Sequence, residues 1–230
     1  MTFRNASFVA AAAWALFIAL PRAEAIVVGQ IDDFEDGTTD SWANGGIQPV
    51  NIANGGPLGL NDNYLQVSSD SSGMNGRLTV FNRNQWLGNY ISAGVNEIAL
   101  DLNNLGTTTV SIHLAFKSAT FNGASGYLTT IPVQLAPNSG WQHFSFSITP
   151  AAMTAIGGPS AFNTFFSNPA ELRIINESGT TSLNGDLIAA EIGIDNIAAI
   201  AVPEPGSLIL IVAIGGTYLG WTKLRRGLKR

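Results

Sequence analysis

Apolar and polar residues alternate at spacing two along much of the chain between positions 64 and 197. The clearest cases are Val110, Ile112, Leu114 and Phe116, and then Phe144, Phe146 and Ile148. A period of two puts every second side chain on one face, as in a sheet with one buried side. Strand-like runs are read at 64–67, 77–81, 96–102, 109–116, 127–131, 141–148, 171–175 and 192–197. Turn-forming clusters separate them, among them Asn44-Gly45-Gly46, Asn54-Gly55-Gly56-Pro57, Pro137-Asn138-Ser139-Gly140 and Asn184-Gly185-Asp186. These residues supply positive φ and Asx turns. Strands and turns at this density predict an all-β domain, a β-sandwich of jelly-roll type. One short helix is expected at 149–156, where Thr149 caps, Pro150 takes the first helical position and helix formers follow.

Both ends depart from this pattern. Residues 1–25 carry one early cation (Arg4), an apolar stretch from Phe8 to Leu20, the helix breaker Pro21 and then Ala23-Glu24-Ala25. That order predicts a signal peptide, a helical export segment cleaved after Ala25. At the other end, residues 199–230 form a tail of three parts: Val202-Pro203-Glu204-Pro205, an apolar segment at 207–222, and a basic end at 223–230 that includes Lys223, Arg225 and Arg226. The apolar segment reads as a transmembrane helix, and the basic residues keep its far end in the cytoplasm. Its central run of about 15 residues is shorter than the roughly 20 of a comfortable span, so the anchor is marginal. A single β-sandwich domain at 26–198 remains between the two ends.

Charge narrows the choice of partner. The 230-residue chain has a formal charge of −5, yet residues 26–202 hold only four cations (Arg77, Arg83, Lys117, Arg173) against fourteen carboxylates. An acidic, lysine-poor body does not suit phosphate backbones, so nucleic acid is not an expected partner. Without cysteine there is no disulfide framework and no thiol nucleophile.

The tail resembles the PEP-CTERM sorting signal of Gram-negative bacteria that make exopolysaccharide. The resemblance covers about the last 28 residues and implies that exosortase, a membrane protease, recognises Val202, Pro203, Glu204 and Pro205 and removes the tail during export. The prolines fit such a role, because they hold the segment extended and accessible. By this resemblance the precursor is anchored transiently in the inner membrane and its product lies at the cell surface or outside the cell.

The body carries a second resemblance. Asp32-Asp33-Phe34-Glu35-Asp36-Gly37 near its start and Gly193-Ile194-Asp195-Asn196-Ile197 near its end resemble the terminal strands of galactose-binding-like jelly rolls, which include carbohydrate-binding modules. The resemblance implies that the terminal strands pair, and that Asp33 or Glu35 shares a structural calcium with Asp195. Hard oxygen donors suit that ion. Asp32 and Asp36 are expected to be exposed.

Trp42, Tyr64, Trp86, Tyr90, Tyr127 and Trp141 are large enough to stack on sugar rings. Most of them read as core. The candidates for a ligand platform are Trp42, Trp86 and Tyr90, the last two within the Gly/Asn-rich stretch 82–94. His113 and His143 sit in strand-like runs and read as solvent-facing. No nucleophile elbow, phosphate loop or dinucleotide fingerprint is present. The resulting expectation is a non-catalytic exported protein of the cell surface or extracellular matrix, sorted by exosortase. Binding of exopolysaccharide as a carbohydrate-binding module is the alternative, and a polysaccharide hydrolase the third reading.

Overall fold

The structure, a computed structural model, describes residues 25–118 and 125–203. Residues 1–24 of the expected signal peptide 1–25, together with Glu204 and Pro205, the apolar segment 207–222 and the basic end with Lys223, Arg225 and Arg226, lie outside the described residues.

The described chain runs through β1 (Ile31–Asp32), β2 (Val50–Ile52), β3 (Tyr64–Asp70), β4 (Thr79–Asn82), β5 (Glu97–Asn104) and β6 (Val110–Lys117). It continues through β7 (Gly126–Thr129), β8 (Val133–Leu135), β9 (Gln142–Ser147), β10 (Met153–Ile156), β11 (Glu171–Asn176) and β12 (Ala189–Ile200). Two short helices interrupt the strands, α1 (Tyr90–Ala93) and α2 (Phe162–Phe166). Asn89 caps α1 by accepting from the Ser92 N–H at 2.8 Å, and Gly94 closes it in the left-handed region that glycine adopts without strain.

Two antiparallel sheets result. The first has the order β2-β3-β12-β5-β9, with β1 paired to β12; the second has β10-β7-β6-β11-β4, with β8 paired to β6. Neighbours in space are seldom neighbours in sequence, the crossing topology of a jelly-roll sandwich. Each predicted strand run is a strand here. The terminal strands pair as the resemblance implied, with Ile31 opposite Ala198 and Asp32 opposite Ile197.

Alternation builds the core. Leu65, Val67, Ile98, Leu100, Leu102, Ile192 and Ile194 of the first sheet face Val80, Val110, Ile112, Leu114, Phe116, Leu172 and Ile174 of the second, all buried in one cluster. Fully burying each such side chain stabilises the fold by about 1.5–3 kcal/mol. A smaller cluster lies on the outer side of the second sheet, where Leu183 covers Ala115, Leu128 and Ile175.

Four expectations need correction. Residues 149–156 are not a helix: a turn follows Thr149, and β10 pairs with β7, Met153 standing opposite Thr129. The open edge of β7 offered a ladder of hydrogen bonds, which outweighs the helix propensity of a few residues. His113 is buried, not solvent-facing, because its outward side is roofed, and its Nδ1 lies 2.7 Å from the Thr129 carbonyl oxygen. Burial pushes its imidazole below the usual histidine range.

The remaining two concern one constellation. Asp32 is buried, and Trp42, Trp86 and Tyr90 are 2%, 0% and 0% exposed, so these rings cannot serve as a ligand platform. The Asp32 Oδ2 accepts from Trp42 Nε1 at 2.7 Å, Trp86 Nε1 at 2.6 Å and Gln85 Nε2 at 3.1 Å. The Tyr90 hydroxyl donates to the Trp86 carbonyl at 2.8 Å. Two indoles can be buried this deeply because one carboxylate satisfies both N–H groups. Burial still raises the Asp32 carboxyl above its ordinary range, against the lowering effect of those donors.

Candidate functional site

The outer faces of the two sheets differ in chemistry. On the second sheet, β4 turns Thr79 and Phe81 outward, β11 turns Glu171 and Arg173 outward, and β6 turns Lys117 outward. Register aligns them, with Phe81 opposite Arg173 and Glu171 opposite Lys117. Arg83 continues the outward row of Arg77, Thr79 and Phe81 beyond the end of β4.

The segment between β11 and β12 folds back beside this row. Leu183 anchors it in the outer cluster. Asp186 Oδ2 accepts from the Ser178 N–H at 2.8 Å and the Ser178 hydroxyl at 2.6 Å, and these bonds hold its carboxyl below the usual range. Arg77 Nη1 donates to the Gly185 carbonyl. Gly185 has φ of +79°, and a Cβ there would stand 2.6 Å from the Asn176 oxygen, so only glycine lets the loop pass this close. On the other side, Ala43 bridges Phe81 and brings Asn44 and Gly45 alongside.

A cleft of about 380 Å³ lies between these walls, with Thr79, Phe81 and Arg173 as its floor and Asn44, Met74, Arg77, Arg83 and Asn184 around it. Arg83 Nε donates to Glu171 Oε2 at 2.5 Å, and Arg173 Nε donates to Glu171 Oε1. The two guanidiniums lie 4.3 and 5.3 Å from the Phe81 ring centroid. Asn184 Oδ1 accepts from both Lys117 Nζ and Arg173 Nη1, each at 3.1 Å. Burial, and then the Arg173 charge, push the Lys117 ammonium below its ordinary range. The cleft is therefore lined by planar donors around one aromatic ring, held in place by packing and a shared carboxylate.

The first sheet presents acids instead. His143 on β9, Asp101 on β5 and Asp195 on β12 stand in one row across three strands. His143 Nδ1 lies 2.8 Å from Asp101 Oδ1, and Asn196 Nδ2 donates to Asp101 Oδ2 at 2.8 Å. Asp195 is 1% exposed and accepts from its neighbour Asn196 N–H at 2.7 Å. Burial pushes its carboxyl up to about 7, and the charges of Asp62, Asp101 and Glu35 add to the effect. Next to this row, Trp141 lies over Gly193, where a Cβ would meet its ring at 2.7 Å, and donates its Nε1 to the Gly55 carbonyl at 2.8 Å.

Among the three acids expected at a calcium, Glu35 and Asp195 come near enough to interact. Asp33 is exposed, and its Oδ1 accepts from the Glu35 N–H at 3.3 Å. Glu35 Oε1 accepts from the Asn63 N–H at 2.8 Å. Among the described residues no group of three or more acidic or histidine side chains is arranged to hold a metal, so a cation here would need backbone carbonyls as well. Val202 and Pro203, expected to belong to a sorting motif, are exposed where the described chain ends, with the Val202 N–H donating to Asn96 Oδ1 at 2.7 Å.

Sequence reasoning missed Phe81, Arg83, Arg173, Lys117 and Asn184. The signal was present in part. Arg77, Thr79, Phe81 and Arg83 sit at spacing two, opposite in phase to the apolar Leu78 and Val80, which predicts a single outward row.

No protein-family model matches the chain. No curated protein matches it in sequence. Solved structures do match in shape. An exo-beta-agarase is similar over 77% of this chain and 25% of its own, with TM-score 0.54 and 12% identity. The agarase AgWH50C is similar over 76% of this chain and 24% of its own, with TM-score 0.51 and 12% identity. The family 11 carbohydrate-binding module from Clostridium thermocellum, in complex with a beta-1,3-1,4-mixed-linked tetrasaccharide, is similar over 78% of this chain and 99% of its own, with TM-score 0.47 and 16% identity. The chain thus spans about a quarter of the length of the two agarases, and at such identities the likeness shows the fold, a jelly-roll β-sandwich.

Proposed function

We propose that the domain binds a polysaccharide without cleaving it, through the cleft on the outer face of the second sheet. The observation that carries this reading is the lining of the cleft. A half-buried aromatic ring at the floor is flanked by Arg77, Arg83, Arg173, Asn44 and Asn184. Sugars offer apolar C–H surface rimmed by hydroxyls, and an apolar floor with a few fixed planar donors is the complementary surface. The fold shared with part of an exo-beta-agarase, an enzyme named for a polysaccharide substrate, is in keeping with it.

Hydrolysis finds no such support. A glycosidase needs two carboxyl groups about 5–10 Å apart across the scissile bond. Of the carboxylates near this cleft, Glu171 is tied to two guanidiniums and Asp186 accepts from the Ser178 N–H and hydroxyl. The carboxyl held near neutral proton affinity, Asp195, is buried on the opposite sheet, out of reach of a substrate.

In the same proposal, residues 1–25 direct export and the Pro203–Pro205 tail is cut by exosortase, so that the domain works at the cell surface or in the extracellular matrix. Calcium held by Glu35, Asp195 and nearby carbonyls would neutralise the acidic corner of the first sheet. Native gel electrophoresis of the full chain in non-ionic detergent, with polysaccharide cast into the gel, tests the binding. Retardation by at least one polysaccharide, lost in Phe81→Ala, is expected. Equal mobility in every gel would overturn the reading.

A further inference from the structure

The cleft holds more positive charge than binding a neutral sugar requires. Residues 26–202 have four cations, and all four converge on this one face: Arg77, Arg83 and Arg173 line the cleft, and Lys117 meets Arg173 at Asn184. One carboxylate, Glu171, contacts two of them, and Asp186 feels Arg77 through space. With both acids counted, two positive charges are left uncompensated in a segment whose net charge is −10.

The donors are also unspent. Arg83 uses its Nε on Glu171, and its Nη groups make no hydrogen bond among the described residues although the side chain is 59% exposed. The Asn184 side-chain oxygen is taken by Lys117 and Arg173, and its Nδ2 likewise has no partner among the described residues. Stacking on Phe81 fixes the plane of the Arg83 guanidinium. A planar fork held in place with its terminal N–H groups free suits bidentate recognition of a carboxylate or a sulfate ester.

We infer that the polysaccharide is anionic, and that Arg77 and Arg83 grip a carboxylate or sulfate group borne on a sugar ring in the cleft. This rests on the reading of the cleft as a polysaccharide site. The acidic remainder of the domain repels a dense polyanion, so the charges on the ligand must be spaced by neutral sugar surface. The cleft volume of about 380 Å³ is enough for such a ring with its substituent.

The test uses the full chain in non-ionic detergent and two polymer pairs with matched backbones. Sparsely de-esterified polygalacturonate methyl ester is compared with the full methyl ester, and sparsely sulfated agarose with agarose, by isothermal titration. Tighter binding to the anionic member of one pair is expected, and the pair concerned tells carboxylate from sulfate. Binding should weaken between about 50 and 500 mM salt. The double variant Arg77→Gln/Arg83→Gln should weaken it by roughly tenfold or more, the scale of a lost charge-assisted pair. Both residues are exposed, and a melting curve for the variant checks that it folds. Equal binding of neutral and anionic partners, unmoved by salt or by the double variant, would overturn the charge inference and leave polysaccharide binding standing. Binding of none of the four would overturn both.

Discussion

The two outer faces of the sandwich solve opposite electrostatic problems. On the second sheet, Arg83 and Arg173 share Glu171, and Lys117 gives up part of its proton affinity to burial and to the Arg173 charge. On the first sheet, Asp195 is buried near Asp62, Asp101 and Glu35 with no ion pair to a cation among the described residues, and its proton affinity rises instead. Both faces hang on the same core and the same alternation of strand residues. What differs is whether the cluster includes its counter-charge. Where it does, the groups are fixed and charged, as a binding surface requires. Where it does not, neutralisation has to come from solution, as a proton or a metal ion.

One chemical change applied to both faces exposes that difference. Glu171→Gln removes the carboxylate that Arg83 and Arg173 share, leaving cations packed against one another. A loss of about 3 kcal/mol is expected, the scale of a broken buried ion pair. Asp195→Asn, the same replacement of a carboxylate by an amide, should act in the other direction. At pH 8 it removes a buried charge and should stabilise by roughly 1–3 kcal/mol. Urea unfolding of the two variants beside the parent protein reads both signs, and a common sign would end the comparison.

The pH dependence sharpens it further. The Asp195 carboxyl titrates at about 7 in the folded protein and near the ordinary carboxylate value of about 4 when unfolded. The folded state therefore holds the extra proton between those values. Its stabilising effect is complete below about pH 4, falls as the pH rises, and is gone above about pH 7. Asp32, also raised by burial, adds a slope of the same sign. Asp195→Asn should flatten the decline measured between pH 4 and 7 without abolishing it.

Binding separates the faces a third way. Phe81 and Trp141 are aromatic residues at the two outer surfaces, one in the cationic cleft and one over Gly193 beside Tyr64. Phe81→Ala should weaken polysaccharide binding about tenfold, the order of one lost stacking contact with its supporting arginine. Trp141→Ala should leave it unchanged. The reverse result would move the site to the first sheet.

The strands were legible because alternation is local. Val110 to Phe116 shows the buried face of β6 without reference to any other residue. What covers the other face is not local. His113 points outward, as alternation required, yet it is buried, since the outer face of β6 is roofed by chain that follows β11. In sequence that roof, around Thr180 to Asp186, is a turn-rich segment with one apolar residue, Leu183. The same holds for Trp42 and Trp86. They look like loop aromatics until Asp32, ten and fifty-four positions away, is found between their N–H groups. The cationic cleft was half legible. Its outward row was written in the spacing of Arg77, Thr79, Phe81 and Arg83, but its joining to Arg173 and Lys117 depended on the order of strands in the sheet.

The smallest predicted effect concerns the metal proposed for the acidic face. If Glu35 and Asp195 hold calcium with nearby carbonyls, the ion replaces the proton that Asp195 otherwise needs. Loosely built extracellular calcium sites bind at about 0.1–1 mM, so 1 mM calcium should stabilise the protein by about 0.4–1.4 kcal/mol through mass action. The gain should be larger at pH 7.5 than at pH 5.5, because the bound proton and the ion compete for the same carboxylate. Asp195→Asn should remove it, while Asp33→Asn should not, since Asp33 is exposed and engaged with the Glu35 N–H. Thermal melts of the three proteins in chelator and in calcium decide it. A shift of the same size in Asp195→Asn would place any bound calcium elsewhere on the acidic body, and the first sheet would then rely on protonation of Asp195 alone.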